Sequence, residues 1–151
     1  MNYQSHFGVY ALILDRDRDS VLLIKKGLGC YTGLYDLPGG GMEPQELLED
    51  ALRREVQEET DCTVTSARQL ATLSILYPFQ KDGQTVTLRH FGTVYLCDIS
   101  GTPRTASTGL DDSLGCEWVP FGSLTDKNAA PFVVEALRLE KTGVATLRFA
   151  P

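Results

Sequence analysis

The segment from Pro44 to about Thr60 constrains this chain more than any other, because one face of a helix there changes character part-way along. Pro44 suits the first helical position, where its missing N–H costs nothing. Glu43, Glu46, Glu49 and Asp50 place acid near the positive end of the helix dipole. At about 100° per residue, with Glu55 at the origin, Leu48 falls at about 20°, Ala51 at about −40° and Leu52 at about 60°. Glu58 and Glu59 fall at about −60° and 40°, so three carboxylates continue the stripe that the aliphatic residues begin. Like charges on one partly inward face repel one another and resist losing water unless something positive joins them. Clustered carboxylate oxygens select hard cations such as Mg²⁺, Mn²⁺ or Ca²⁺, while the alternative is a solvated acidic face of the kind common at Glu-rich helix ends. The Gly39-Gly40-Gly41 turn just upstream favours a ligand, since glycine lets backbone approach one closely.

Around this helix the pattern is strand-rich. Phe7 to Leu14 and Val21 to Ile24 read as strands joined by the charged turn from Asp15 to Ser20. Gly27 to Gly41 is a long loop with Tyr35, Asp36 and Leu37 as its one short strand, and long loops in compact domains are usually functional. Thr63 to Leu76 and Gln84 to Asp98 read as two long strands turning at Lys81-Asp82-Gly83, with Tyr77-Pro78 ending the first. Ser100 to Gly115 reads as an exposed loop, Cys116 to Val119 as a short strand and Pro131 to Lys141 as a closing helix. The expected class is α/β, with helices on both sides of a mixed sheet in one domain over residues 1–151.

Composition narrows the partners. With 14 Lys and Arg against 20 Asp and Glu, the formal net charge is −6, and there is no basic stripe to grip a DNA or RNA duplex. An acidic protein that handles phosphates needs a cation between them. No apolar run approaches a membrane span and the N-terminus lacks a signal-peptide profile, which predicts a cytoplasmic protein without membrane contact. The cysteines Cys30, Cys62, Cys97 and Cys116 are scattered without a CxxC pair and read as buried or half-buried thiols.

Gly40, five residues, Glu46, seven residues, then Arg54-Glu55-Val56-Gln57-Glu58-Glu59 resembles the signature of the Nudix hydrolases, the MutT-like family, without a gap in spacing. Leu37-Pro38-Gly39-Gly40 resembles the family's approach to that box, which here spans residues 40–62. Asp61 stands where the family has Gly, Cys62 where it has an aliphatic residue, Gln45 where Gly is frequent and Tyr35 where many members have Trp. Asp tolerates the left-handed helix cap that Gly normally supplies.

The resemblance implies a Nudix-type α/β/α sandwich and Mg²⁺- or Mn²⁺-dependent hydrolysis of a nucleoside diphosphate linked to another moiety. It implies Glu55, Glu58 and Glu59 as metal ligands with the Gly39 carbonyl, Arg54 holding a glutamate in place, and Glu46 in a supporting role. Glu55 and Glu58 also stand as catalytic carboxylates, with Asp111, Asp112 and Glu117 as distant alternatives for the base, each equally readable as surface charge. Gly40, Tyr35 and Asn128 are the substrate-binding candidates, Asn128 because it resembles, one position offset, a base-reading Asn of MutT-like enzymes. The implied partner is a small nucleotide, a nucleoside triphosphate or relative ahead of ADP-ribose or a dinucleoside polyphosphate. A non-catalytic nucleotide sensor is the second class, and a homodimer stays open. His6 and His90 read as packing or surface residues rather than ligands, and Trp118 reads as core rather than a base-stacking platform.

Overall fold

The computed structural model describes residues 2–105 and 113–143. Its elements are β1 (Asn2–Leu12), β2 (Ser20–Lys26), β3 (Tyr35–Asp36), β4 (Gly39–Gly40), α1 (Leu48–Thr60), β5 (Thr63–Lys81), β6 (Gln84–Ser100), β7 (Ser113–Pro120) and α2 (Pro131–Thr142). A four-stranded sheet runs β4-β1-β6-β5, mixed because β1 is parallel to β6 while the other pairs are antiparallel. An antiparallel sheet of three strands runs β3-β2-β7.

β1 and β2 explain the layers. β1 from Phe7 to Leu12 and β2 from Val21 to Ile24 are apolar runs, as strands covered on two faces must be, whereas β1 from Asn2 to His6 is exposed. Successive side chains point to opposite faces, so Val9, Ala11 and Ile13 with Leu22 and Ile24 pack against Ala51, Leu52 and Val56 of α1. Tyr10, Leu12, Val21 and Leu23 pack the other way, against Phe132, Val133 and Ala136 of α2. The α/β/α sandwich expected from the sequence is therefore present, with its central layer divided between two sheets.

Several boundaries and one burial differ from expectation, β7 among them, which starts at Ser113 inside the expected loop rather than at Cys116. α1 starts at Leu48 rather than Pro44, because Gln45 takes a left-handed φ of 69° and the Glu46 carboxylate folds back onto the Glu43 N–H at 2.8 Å. Pro44 thus sits in a turn. β1 begins earlier than read, at Asn2, where it pairs with Val86. β5 runs through Pro78 to Lys81 instead of stopping, since among the described residues β5 is an edge strand paired only with β6 and the missing N–H can lie on its open side. Trp118 is 39% exposed rather than core, because β7 is likewise an edge strand.

Asp61 ends α1 in the left-handed conformation, φ 62° and ψ 21°, with its N–H on the Gln57 carbonyl. Asp61→Gly is expected to be neutral or slightly stabilising, since Gly meets no Cβ penalty there and only the 3.1 Å Gln57 Nε2 to Asp61 Oδ1 bond is lost. Thermal melts of both proteins check this, and a loss above about 1 kcal/mol would assign Asp61 a larger role through its side chain.

Candidate active site

The acidic end of α1 faces β4. Gly39 adopts φ 148°, a region open to glycine, and its N–H donates to Glu59 Oε2 at 2.8 Å. Glu59 is only 2% exposed. A Cβ on Gly40 would stand 2.7 Å from Glu55 Oε1, so the second glycine is what leaves room for the Glu55 carboxylate.

Arg54 ties the rest together. Its Nε and Nη2 donate to Glu46 Oε1 and Oε2 at 2.6 and 2.9 Å, a bidentate fork that lysine could not reproduce. Nη1 donates to Glu55 Oε1 at 2.8 Å and Glu58 Oε2 at 3.3 Å, and Nη2 also reaches the Gly41 carbonyl at 3.0 Å. The Arg54 hydrogen bonds hold the Glu46 carboxyl down at about 2, while burial pushes the Glu55 carboxyl above its usual range despite the same arginine. A carboxylate that is costly to charge in its surroundings is one that a cation would stabilise.

Gly39, Gly40, Glu55 and Glu59 line one cavity of about 660 Å³, of the size that takes a small-molecule ligand. Glu58, the third expected carboxylate, does not line it; it is half exposed and held by Arg54. Asp36 lines the cavity too, buried, its Oδ1 accepting the Leu37 N–H at 2.8 Å. The carboxylates and glycine carbonyls at this end of the cavity are oxygen donors, which fit Mg²⁺ or Mn²⁺ rather than a thiolate-seeking metal. Among the described residues no three Asp, Glu, His or Cys side chains are gathered into a cage, because Arg54 holds Glu55 and Glu58 while Gly39 holds Glu59.

Other candidates lie apart from this cavity. The Tyr35 hydroxyl donates to Glu117 Oε1 at 2.7 Å, and neither residue lines the cavity. Asn128 spends both ends of its amide on its own loop: Oδ1 accepts the Thr125 N–H at 2.8 Å and Nδ2 donates to the Ser123 carbonyl at 2.7 Å. Asn128 does not line the cavity, and each end of its amide already holds a turn bond. Asp111 and Asp112 lie outside the described residues.

The sequence reading passed over Asp36, Tyr10 and Tyr31 and set both histidines aside as packing or surface residues, yet all five line the same cavity. His90 is 2% exposed and stacks on Phe132 at 4.1 Å, so it is a packing residue, yet it also closes the cavity wall. Burial, aided by the nearby His6 and Lys26 charges, lowers its pKa from 6.5 to about 4. Its contribution to stability is complete above about pH 6.5 and is lost as the pH falls through about 4, to a limit of roughly 3 kcal/mol. Unfolding free energies of wild type and His90→Gln across that window are expected to converge as the pH drops, and parallel curves would contradict the assignment.

A family model for the NUDIX domain matches residues 4–139. The chain belongs to the Nudix family. Among solved structures, this Nudix chain resembles a MutT NUDIX hydrolase from Burkholderia pseudomallei, with a TM-score of 0.72 and 25% identity over 90% of this chain and 98% of that one. It also shares its fold with the NUDIX domain of Shewanella oneidensis NrtR, solved with ADP ribose, at a TM-score of 0.63 and 16% identity over 93% and 88% of the two chains. A segment of 31 residues, 20% of this chain, is 58% identical to the nucleoside triphosphatase NudI of Enterobacter sp. (strain 638). That segment spans only 22% of the NudI length. Among the described residues, no helix of this Nudix chain is long and apolar enough to cross a membrane.

Proposed function

We propose that the protein is a hydrolase of phosphoanhydride bonds that acts on a nucleoside triphosphate or a related nucleoside diphosphate derivative, with Mg²⁺ or Mn²⁺ as cofactor. The observation that carries this reading is the meeting of Glu55 and Glu59 with the Gly39-Gly40 backbone at one cavity, in a chain of the Nudix family. Similarity to a nucleoside triphosphatase over the segment shared with NudI supports the substrate class.

Glu55, Glu58 and Glu59 would hold the cation, with the Gly39 carbonyl as a further ligand. Bound there, a divalent cation supplies charge neutralisation between carboxylate and phosphate oxygens and lowers the pKa of the attacking water. Arg54 fixes Glu55 and Glu58 in mutual register through Nη1, anchored by its fork on Glu46. Water attacks one phosphorus, the bridging P–O bond breaks, and the water proton passes to a carboxylate oxygen in the cavity. Glu117 is poorly placed for that proton, since its Oε1 already accepts from Tyr35.

The experiment is kcat/KM over a panel of nucleoside triphosphates, ADP-ribose and dinucleoside polyphosphates, with phosphate, pyrophosphate and nucleotide products identified. A triphosphate is expected to lead. ADP-ribose outperforming every triphosphate would overturn the substrate class, and binding without turnover would make the protein a sensor instead.

A further inference from the structure

His6 and His90 are register partners across the parallel strands β1 and β6, and so are Gly8 and Gly92. The strand period puts all four on one face with Tyr10. Glycine inside a strand weakens it, and here the pair makes a slot. A Cβ on Gly8 would overlap the Tyr10 hydroxyl, and one on Gly92 would stand 3.1 Å from the Tyr10 ring. The ring lying in that slot brings its hydroxyl 2.7 Å from His90 Nε2. From the opposite side, the Tyr31 hydroxyl lies 2.9 Å from His90 Nδ1. Phe132, stacked nearly parallel at 4.1 Å, backs the imidazole.

The trio holds more protons than it can use. A neutral imidazole carries one N–H and each tyrosine one O–H, so there are three donor protons for two hydrogen bonds. If Nδ1 is protonated it donates to Tyr31, Tyr10 donates to Nε2, and the Tyr31 O–H is left over. In the other tautomer the Tyr10 O–H is left over. Either way one hydroxyl proton remains, and among the described residues neither hydroxyl has a hydrogen-bond partner besides His90. Both tyrosines are about nine-tenths or more buried, 4% and 5% exposed, and both line the cavity. A buried donor without an acceptor is costly, so the surplus proton is offered to whatever occupies the cavity.

The surroundings indicate which part of a nucleotide that is. The carboxylates of Glu55, Glu59 and Asp36 claim the phosphate end through a cation, whereas Leu28, Phe79 and Leu88 give the cavity an apolar lining suited to a base. We propose that the Tyr10–His90–Tyr31 trio determines base specificity by donating a hydroxyl hydrogen bond to an exocyclic carbonyl of the base. Nucleotides bearing that carbonyl are favoured over those with an exocyclic amine at the same ring position. An amine there opposes donor to donor and leaves both unpaired, the situation in which a polar site discriminates most strongly. This rests on the nucleotide-hydrolase reading above.

The test compares uridine with cytidine 5′-monophosphate, and inosine with adenosine 5′-monophosphate, by titration calorimetry on the full chain, alongside kcat/KM for the matching triphosphates. Wild type is expected to favour the carbonyl member of each pair by about tenfold. The Tyr10→Phe/Tyr31→Phe variant is expected to bring that ratio to about one, a change that a merely structural role would not produce. If the double variant melts early, Tyr31→Phe alone serves, with a ratio reduced at least threefold. No carbonyl preference in wild type would overturn the proposal. So would a preference that survives in the variants, or an equal loss for every nucleotide and for inorganic pyrophosphate, which would make the trio a phosphate contact. Failure of wild type to bind or hydrolyse any nucleotide would overturn the hydrolase reading and this inference with it.

Discussion

Glu55→Gln is expected to lower kcat by about 10²-fold or more while leaving the fold intact, because it removes one charge from the set that would hold the cation. The amide keeps the shape of the carboxylate and can still accept from Arg54 Nη1, now 2.8 Å away, so the loss isolates charge rather than packing. Stability should change little or rise, since burial already makes the charged Glu55 costly in the folded protein. Steady-state kinetics at saturating Mg²⁺ beside a thermal melt separates the two effects. A variant with full kcat would remove Glu55 from the chemistry.

Gly39→Ala is expected to destabilise the protein by about 3 kcal/mol or more, the largest effect on folding foreseen for the site. A Cβ there would overlap the Val9 carbonyl and crowd the Tyr10 side chain, both in the central strand β1, which has no room to yield. The φ of 148° adds backbone strain for any residue with a side chain. For a chain of this length the melting temperature should fall by roughly 6–12 °C. Calorimetric melts check it. A shift within about 2 °C would mean that β4 can move away from β1 at little cost, and that the Gly39 to Glu59 bond is not what fixes the acidic end of α1.

The acidic end of α1 was legible because its information is local. Glu55, Glu58 and Glu59 are set by helical period, and Gly39 and Gly40 are needed for the same close approach that the sequence pattern suggested. The helix start was misjudged for an equally local reason: Pro44 is a good first residue, but the Glu46 side chain gains more by turning back to Arg54 and the Glu43 N–H. The opposite wall of the cavity could not be read this way. His6 meets His90, and Tyr10 bonds to it across 80 residues, only because β1 and β6 run parallel in one register. No local spacing encodes that pairing, and both histidines accordingly read as packing or surface residues. Asn128 illustrates the converse, since its place beside the closing helix suggested a base contact while its amide is engaged in turn bonds to residues three and five positions away. Asp36 carried a weak signal, a lone acid between Tyr35 and Leu37 in a glycine-rich loop, which strand-forming propensity hid.

The central claim is that clustered oxygens at the end of α1 work through a divalent cation. Its most direct measurement is turnover of the best nucleotide by metal-stripped protein, titrated with Mg²⁺ and separately with Mn²⁺. Activity near zero after chelation, restored saturably by either ion in wild type and by neither in Glu55→Gln, is the predicted result. Full turnover in the stripped protein, or equal restoration in both proteins, would contradict it.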